Sequence, residues 1–303
     1  MMNSKKIIPH SRTFGSEVPK LSGINNMFLV IVTTLLMSSA FAQQNVNVLD
    51  GIYVKEHMPT KTYMEYPFVR EADVMWSKRI WRVIDLKEKI NLPLAYPKSD
   101  TRDRKSLMDV IWNAVKEGTL TAYDNDEFTA PKTVAEIEKS GGAGIDTTTY
   151  TEPDPPYNIR DTVIKREFAP EKVVYYRLKE DWFFDKQRSV MEVRIIGMSP
   201  IVYATDDKGN IREGGETKPL FWIYFPEARR LLSQAEVFNR ENDAERRSFD
   251  DIFHKRIFNS YIMKESNVYD RRIQEYAQGI KALQESDRIK DVITNFEHDM
   301  WEY

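Results

Sequence analysis

The chain has 303 residues, 44 Lys and Arg against 47 Asp and Glu, and no cysteine. Its length suffices for one large domain or two modest ones, and 41% hydrophobic with 12% aromatic residues fits a packed chain rather than a disordered one. The missing cysteines exclude disulfides, thiolate metal sites, cysteine nucleophiles and lipid-modified cysteine, and the near balance of charge gives no electrostatic footprint for nucleic acid.

Residues 1–42 read as a signal peptide. Lys5, Lys6, Arg12 and Lys20 precede an apolar run from Met27 to Met37, and Ala40 and Ala42 then form an A-x-A pattern before Gln43. The run is too short to span a bilayer as a helix. Cleavage after Ala42 is expected, giving an exported protein whose membrane attachment comes through a partner.

Residues 43–70 form an expected extended arm: Pro59 and Pro67 interrupt it and no period runs through it. Its rings Tyr53, Tyr63, Tyr66 and Phe68 must be buried on the chain's own body or on a neighbour, so all four are interface candidates.

Residues 71–139 read as a helical region with one short strand. Trp76, Ile80, Val83, Ile84 and Ile90 fit a helical stripe over 73–90. Ser106-Leu-Met-Asp109 has the form of a capping box, Leu107, Val110, Ile111, Ala114 and Val115 follow at helical spacing, and Gly118 suits the C′ position. Thr119 to Tyr123 reads as a strand. Trp81 and Trp112 fall off these stripes; each either packs on another layer of the chain or anchors a partner.

Residues 140–158, from Ser140-Gly-Gly-Ala-Gly144 through a threonine-rich stretch to Glu152-Pro-Asp-Pro-Pro156, read as a linker or long loop. From 159 to 303 strands come first. Val173 to Leu178 is β-branched and aromatic, Met191, Val193 and Ile195 alternate with charges, and Asp206 to Asn210 suits a hairpin turn. Leu220 to Phe225 reads as a central strand. Beyond Pro226 the stripes are helical to the end, with Ser248-Phe-Asp-Asp251 as a cap. The expected class is α+β: a helical N-terminal part, an antiparallel β-sheet in the middle and a helical C-terminal part.

The residues offer little chemistry. His57, His254 and His298 stand far apart, without metal-ligand spacing. No G-x-S-x-G elbow occurs. Asp124-Asn-Asp126 lacks the glycine and glutamate of a calcium loop and reads as a polar turn. Asp206-Asp207 and Asp250-Asp251 are adjacent, so their side chains diverge. The pairs Arg229-Arg230, Arg246-Arg247 and Arg271-Arg272 read as solvated helix faces. No catalytic, cofactor-binding or metal residue is assigned, and no cofactor is expected.

One resemblance covers most of the mature chain. Trp81-Arg-Val-Ile-Asp-Leu-Lys-Glu-Lys-Ile-Asn-Leu-Pro-Leu94, Ser106-Leu-Met-Asp-Val-Ile-Trp112 and Thr121-Ala-Tyr-Asp124 resemble segments of the gliding-motility protein GldN (PorN) family. So do Tyr176 to Asp185, Glu192 to Gly197, Phe221 to Arg229, Arg247 to Phe253 and Lys264 to Val268. The resemblance implies a non-enzymatic periplasmic component of the type IX secretion system of Bacteroidetes, which also supports gliding. It implies a ring formed by self-association with the outer-membrane lipoprotein GldK (PorK), contact with the periplasmic part of GldM (PorM), and peripheral attachment to the outer membrane. The competing readings are a periplasmic hydrolase, which needs convergent carboxylates, and a solute-binding module, which needs a deep apolar pocket.

Overall fold

The structure, a computed structural model, describes residues 57–58, 60–99, 101, 104–151, 159–206, 210–212 and 214–301, with only the backbone course for 145–165. The signal-peptide residues, Tyr53 and the first part of the arm lie outside the described residues.

The helix expected over 73–90 is a strand, β1 (Val74–Asp85). Trp76, Ile80 and Ile84 are spaced by four, which suits one face of a helix and equally one face of a strand. Three observations side with the strand. The run is β-branched and aromatic, its burial alternates through the first half, and Ile90, the last residue of the supposed stripe, lies exposed beyond it. The N-terminal part is therefore not helical as a whole; it opens on the sheet.

A short helix α1 (Leu92–Ala95) leads to α2 (Leu107–Lys116). Ser106 caps α2 as expected, its hydroxyl accepting from the Asp109 N–H at 3.1 Å. Gly118 follows at φ +74° and lets the chain turn off the helix. After β2 (Ala122–Tyr123) comes α3 (Val134–Ser140), held by a reciprocal capping box between Thr133 and Glu136. The stretch expected as a loop then pairs as a hairpin of β3 (Gly144–Thr151) and β4 (Ile159–Arg166). Its threonines, at odds with a flexible linker, have high strand propensity.

Next come β5 (Val173–Asp185), β6 (Val190–Tyr203), β7 (Thr217–Pro219) and β8 (Trp222–Tyr224). The expected turn after β6 closes with the Asn210 N–H donating to Asp206 Oδ1 at 2.7 Å. Helix α4 (Phe225–Gln234) starts with Pro226 in its first turn. The following residues are not all helical. A ribbon of β9 (Glu236–Val237) and β10 (Arg247–Ser248) precedes α5 (Phe249–His254), whose box between Ser248 and Asp251 is the expected cap. Then β11 (Tyr261–Glu265) returns to the sheet before α6 (Ile273–Tyr276) and the long α7 (Ile280–Trp301), separated by Gly279 at φ +60°. The sheet thus draws strands from both ends of the chain.

The main sheet is antiparallel, in the order β11-β1-β5-β6-β8-β2, with β7 also on β6. The register pairs Ile84 with Tyr176, Arg82 with Leu178, Ile80 with Glu180 and Lys78 with Trp182, so these side chains share one face. Ile84, Tyr176 and Leu178 join a large apolar cluster with Leu107, Ile111, Phe225, Leu232, Phe249 and Phe253 of α2, α4 and α5. Further along the same face, Ile80 joins Ile262, Ile273, Ile289 and Ile293 under α6 and α7, where Trp76 stacks on Phe296 with ring centroids 4.9 Å apart. The other face carries Trp81 beside Lys179 and Arg79 beside Asp181. The α+β class stands.

Candidate interaction surfaces

Of the arm, Met58, Lys61, Tyr63 and Tyr66 lie on the chain's own body. Met58 is buried, and the Ser233 hydroxyl donates to the Lys61 carbonyl at 3.2 Å. The Lys61 ammonium meets the Asp251 carboxylate and lies 3.4 Å from the Ser248 hydroxyl, so the arm is tied to the cap of α5. Burial pushes the Asp251 carboxyl up, but the Lys61 ammonium and the Ser248 backbone and hydroxyl outweigh it and hold it below the usual carboxylate range.

Under the arm lies a buried ion pair. Arg229 of α4 donates from Nε and Nη2 to the two carboxylate oxygens of Asp250 of α5, at 2.8 and 3.2 Å. The rings of Tyr63 and Tyr66 cover this guanidinium at 5.0 and 4.3 Å. Arg194 of β6 stacks on Tyr66 at 5.2 Å and donates to the Pro67 carbonyl. Burial raises the Tyr66 hydroxyl pKa against the opposing pull of Arg229. Arg229 is therefore not on a solvated helix face, and Tyr63 and Tyr66 pack in cis. Phe68, next along the arm, is 88% exposed.

The two tryptophans separate. Trp112 is 3% exposed, its ring edge-on to Phe168 at 4.8 Å, so it belongs to the core rather than to an accessible surface. Trp81 is half-buried on the face opposite the core helices. Its Nε1 donates to Asp126 Oδ2 at 3.0 Å, and the Lys264 and Lys179 ammonium groups lie 4.5 and 5.8 Å from its ring. The polar turn at 124–129 forms as expected, with the Thr129 N–H donating to Asn125 Oδ1 at 3.1 Å. Its Phe128 ring packs over Gly197 of β6 and edge-on to Tyr224 at 5.4 Å.

Between the two apolar clusters sits a charged group that invites a chemical reading. Glu180 is fully buried, accepts from Arg256 at 3.0 and 3.2 Å and from Trp182 Nε1 at 3.0 Å, and has Arg82 Nε 3.4 Å away. Both guanidiniums stack near the Trp182 ring, at 5.4 and 5.3 Å. Arg256 reaches this position from a left-handed backbone at φ +54°. Burial lowers the Arg82 pKa, against the pull of Glu180. Both oxygens of the carboxylate accept hydrogen bonds, so the arrangement joins the two clusters as a structural charge network.

Among the described residues, two further accessible apolar regions stand out. Around α6 and the start of α7, Val268, Tyr269, Tyr276, Ile280 and Leu283 are exposed, with the Arg271 guanidinium between the two tyrosine rings at 4.8 and 4.7 Å. The second is a groove of about 450 Å³ between α1 and the β9–β10 ribbon, walled by Tyr96 and Phe238 and rimmed by Lys89, Arg104 and Arg240. These residues escaped sequence reasoning because no period links positions 89–104 to 238–240. Phe238, an aromatic standing outside any apolar stripe, is the signal that the sequence offers.

Among the described residues no three His, Asp or Glu side chains gather as metal ligands, and no helix is long and apolar enough to cross a membrane. The described residues thus hold buried ion pairs in the core and apolar patches at the surface. A model of the family described as gliding motility associated protein GldN matches residues 69–302, and the chain belongs to that family. It is thereby a structural component of the gliding-motility and type IX secretion apparatus. No curated protein matches the chain.

Proposed function

We propose that the chain is an exported, non-enzymatic subunit of a periplasmic ring, cleaved after Ala42 and held at the outer membrane by the lipoprotein GldK (PorK). The same ring would present a face to the periplasmic part of the motor protein GldM (PorM). The observation that supports assembly is the exposed apolar surface around α6 and α7, where Val268 is 98% and Ile280 76% exposed. Clustered large apolar side chains are unfavourable in water and mark contact surfaces. Family membership supplies the apparatus; the patch supplies a reason for the chain to have partners.

The test is affinity purification of the tagged full-length chain from detergent-solubilised envelopes, with mass spectrometry of what accompanies it. The outer-membrane lipoprotein and the motor protein are the expected companions, and further copies of the chain are expected under native electrophoresis. Recovery of a monomer without companions would sink the reading.

A further inference from the structure

The groove between α1 and the β9–β10 ribbon has a definite chemistry. Pro93, Tyr96, Pro97 and Phe238 make its apolar walls. Around them stand cations: Arg104 lies 5.2 Å from the Phe238 ring, and Lys89 and Arg240 line the rim. Arg104 has Glu236 and Asp243 at 3.4 and 3.5 Å. Lys89 and Arg240 have no carboxylate partner among the described residues; Arg240 Nη1 donates to the Lys89 carbonyl at 3.5 Å. Aromatic walls suit proline rings, whose restricted backbone lowers the entropy lost on docking, and a cationic rim selects acidic neighbours.

The chain itself carries a segment of the matching composition. Glu152-Pro153-Asp154-Pro155-Pro156-Tyr157 supplies three prolines, two carboxylates and a tyrosine. It connects β3 to β4, and this pair is hydrogen-bonded to no other described strand. Eight residues per strand make the ribbon about 26 Å long at roughly 3.3 Å per residue. That reach suffices to deliver the segment to a neighbouring subunit.

We propose that the Tyr96–Phe238 groove receives the acidic, proline-rich segment 152–157 of a second copy of the chain. The inference rests on the ring reading above and adds the surfaces that join one copy to the next. Groove and segment are different parts of the chain, so each copy's segment can enter the next copy's groove, and such a head-to-tail contact forms a ring where the rotation between copies closes.

The absence of native cysteine provides a clean test. Two differently tagged full-length copies are expressed together, one carrying Thr101→Cys at the groove and the other Pro156→Cys. Oxidation or a short bis-maleimide should give a covalent heterodimer. Arg240→Glu in the groove copy should reduce it to background, and Met75→Cys in place of Thr101→Cys should give none. No heterodimer, a cross-link formed only within a chain that carries both cysteines, or equal cross-linking from position 75 would overturn the proposal. Co-purification of the lipoprotein with the wild-type chain is scored separately. If it persists while the cross-link is missing, the groove assignment alone fails; if it is lost, the ring reading fails whatever the cross-link shows.

Discussion

The Tyr66 ring lies 4.3 Å from the guanidinium of Arg229, which is itself clamped by both oxygens of Asp250. Together with Tyr63, this residue of the arm lids a buried charge pair that joins two core helices. Hydrogen bonding satisfies the carboxylate, and the tyrosine faces replace water above the cation.

Arg229→Ala should be among the most damaging single changes. It leaves Asp250 buried without its cation, which costs about 3–5 kcal/mol in comparable buried pairs. Replacing both, as Arg229→Met with Asp250→Leu, should be far milder. Chemical denaturation of the three proteins checks this, and equal losses would show that packing rather than charge sets the effect.

Removing residues 43–66 takes Lys61, Tyr63 and Tyr66 from their partners and uncovers the Arg229–Asp250 pair, so it should lower the melting temperature of the mature protein measurably. An unchanged melting temperature in the truncated protein would show that these contacts add nothing to stability.

The link between Lys61 and Asp251 should titrate in acid. The Asp251 carboxyl is held below its ordinary value of about 3.9 in the folded chain. A depressed folded value means that the contribution is complete above the unfolded value and is lost as pH falls from about 4 through the folded one. The stability difference between the wild type and Lys61→Met should therefore be constant near neutrality and close below about pH 4. A difference that persists at lower pH would assign it to the lysine stem.

Trp112 and Trp81 should part in their energetics. Trp112→Ala empties a core position against Phe168 and should cost about 3–5 kcal/mol. Trp81→Ala removes a half-buried ring and one hydrogen bond, and should cost clearly less. Urea denaturation of both variants decides it.

Gly197 is constrained by its neighbour. A Cβ there would lie 2.6 Å from the Phe128 ring and 3.4 Å from the Ile223 carbonyl oxygen. Gly197→Val should destabilise by about 1–3 kcal/mol through overpacking. Adding Phe128→Ala should recover part of that loss, and no recovery would mean that the backbone contact dominates.

Local signals were legible wherever the physics is local. The Ser106 and Ser248 caps, Gly118 beyond α2 and the Asp206–Asn210 turn each depend on residues within a few positions, and the structure places them as read. The capping box at Thr133 and Glu136 was equally local and went unread. The successive blocks from Trp81 to Val268 carry the family resemblance by themselves, and the family match agrees.

What only the tertiary structure decided was which partner each apolar or charged side chain meets. Trp76, Ile80 and Ile84 satisfy a helix and a strand equally, and β1 is a strand because β5 and β11, about a hundred and about a hundred and eighty residues away, offer their hydrogen-bonding edges. Arg229 looks like a surface charge until Asp250 and the arm close over it. Trp112 looks free until Phe168 arrives. The groove exists only because α1 and the β9–β10 ribbon are brought together. Composition and short-range spacing determine caps, turns and membership of a family; burial is a property of the assembled surfaces, and no stretch of sequence contains its own partner.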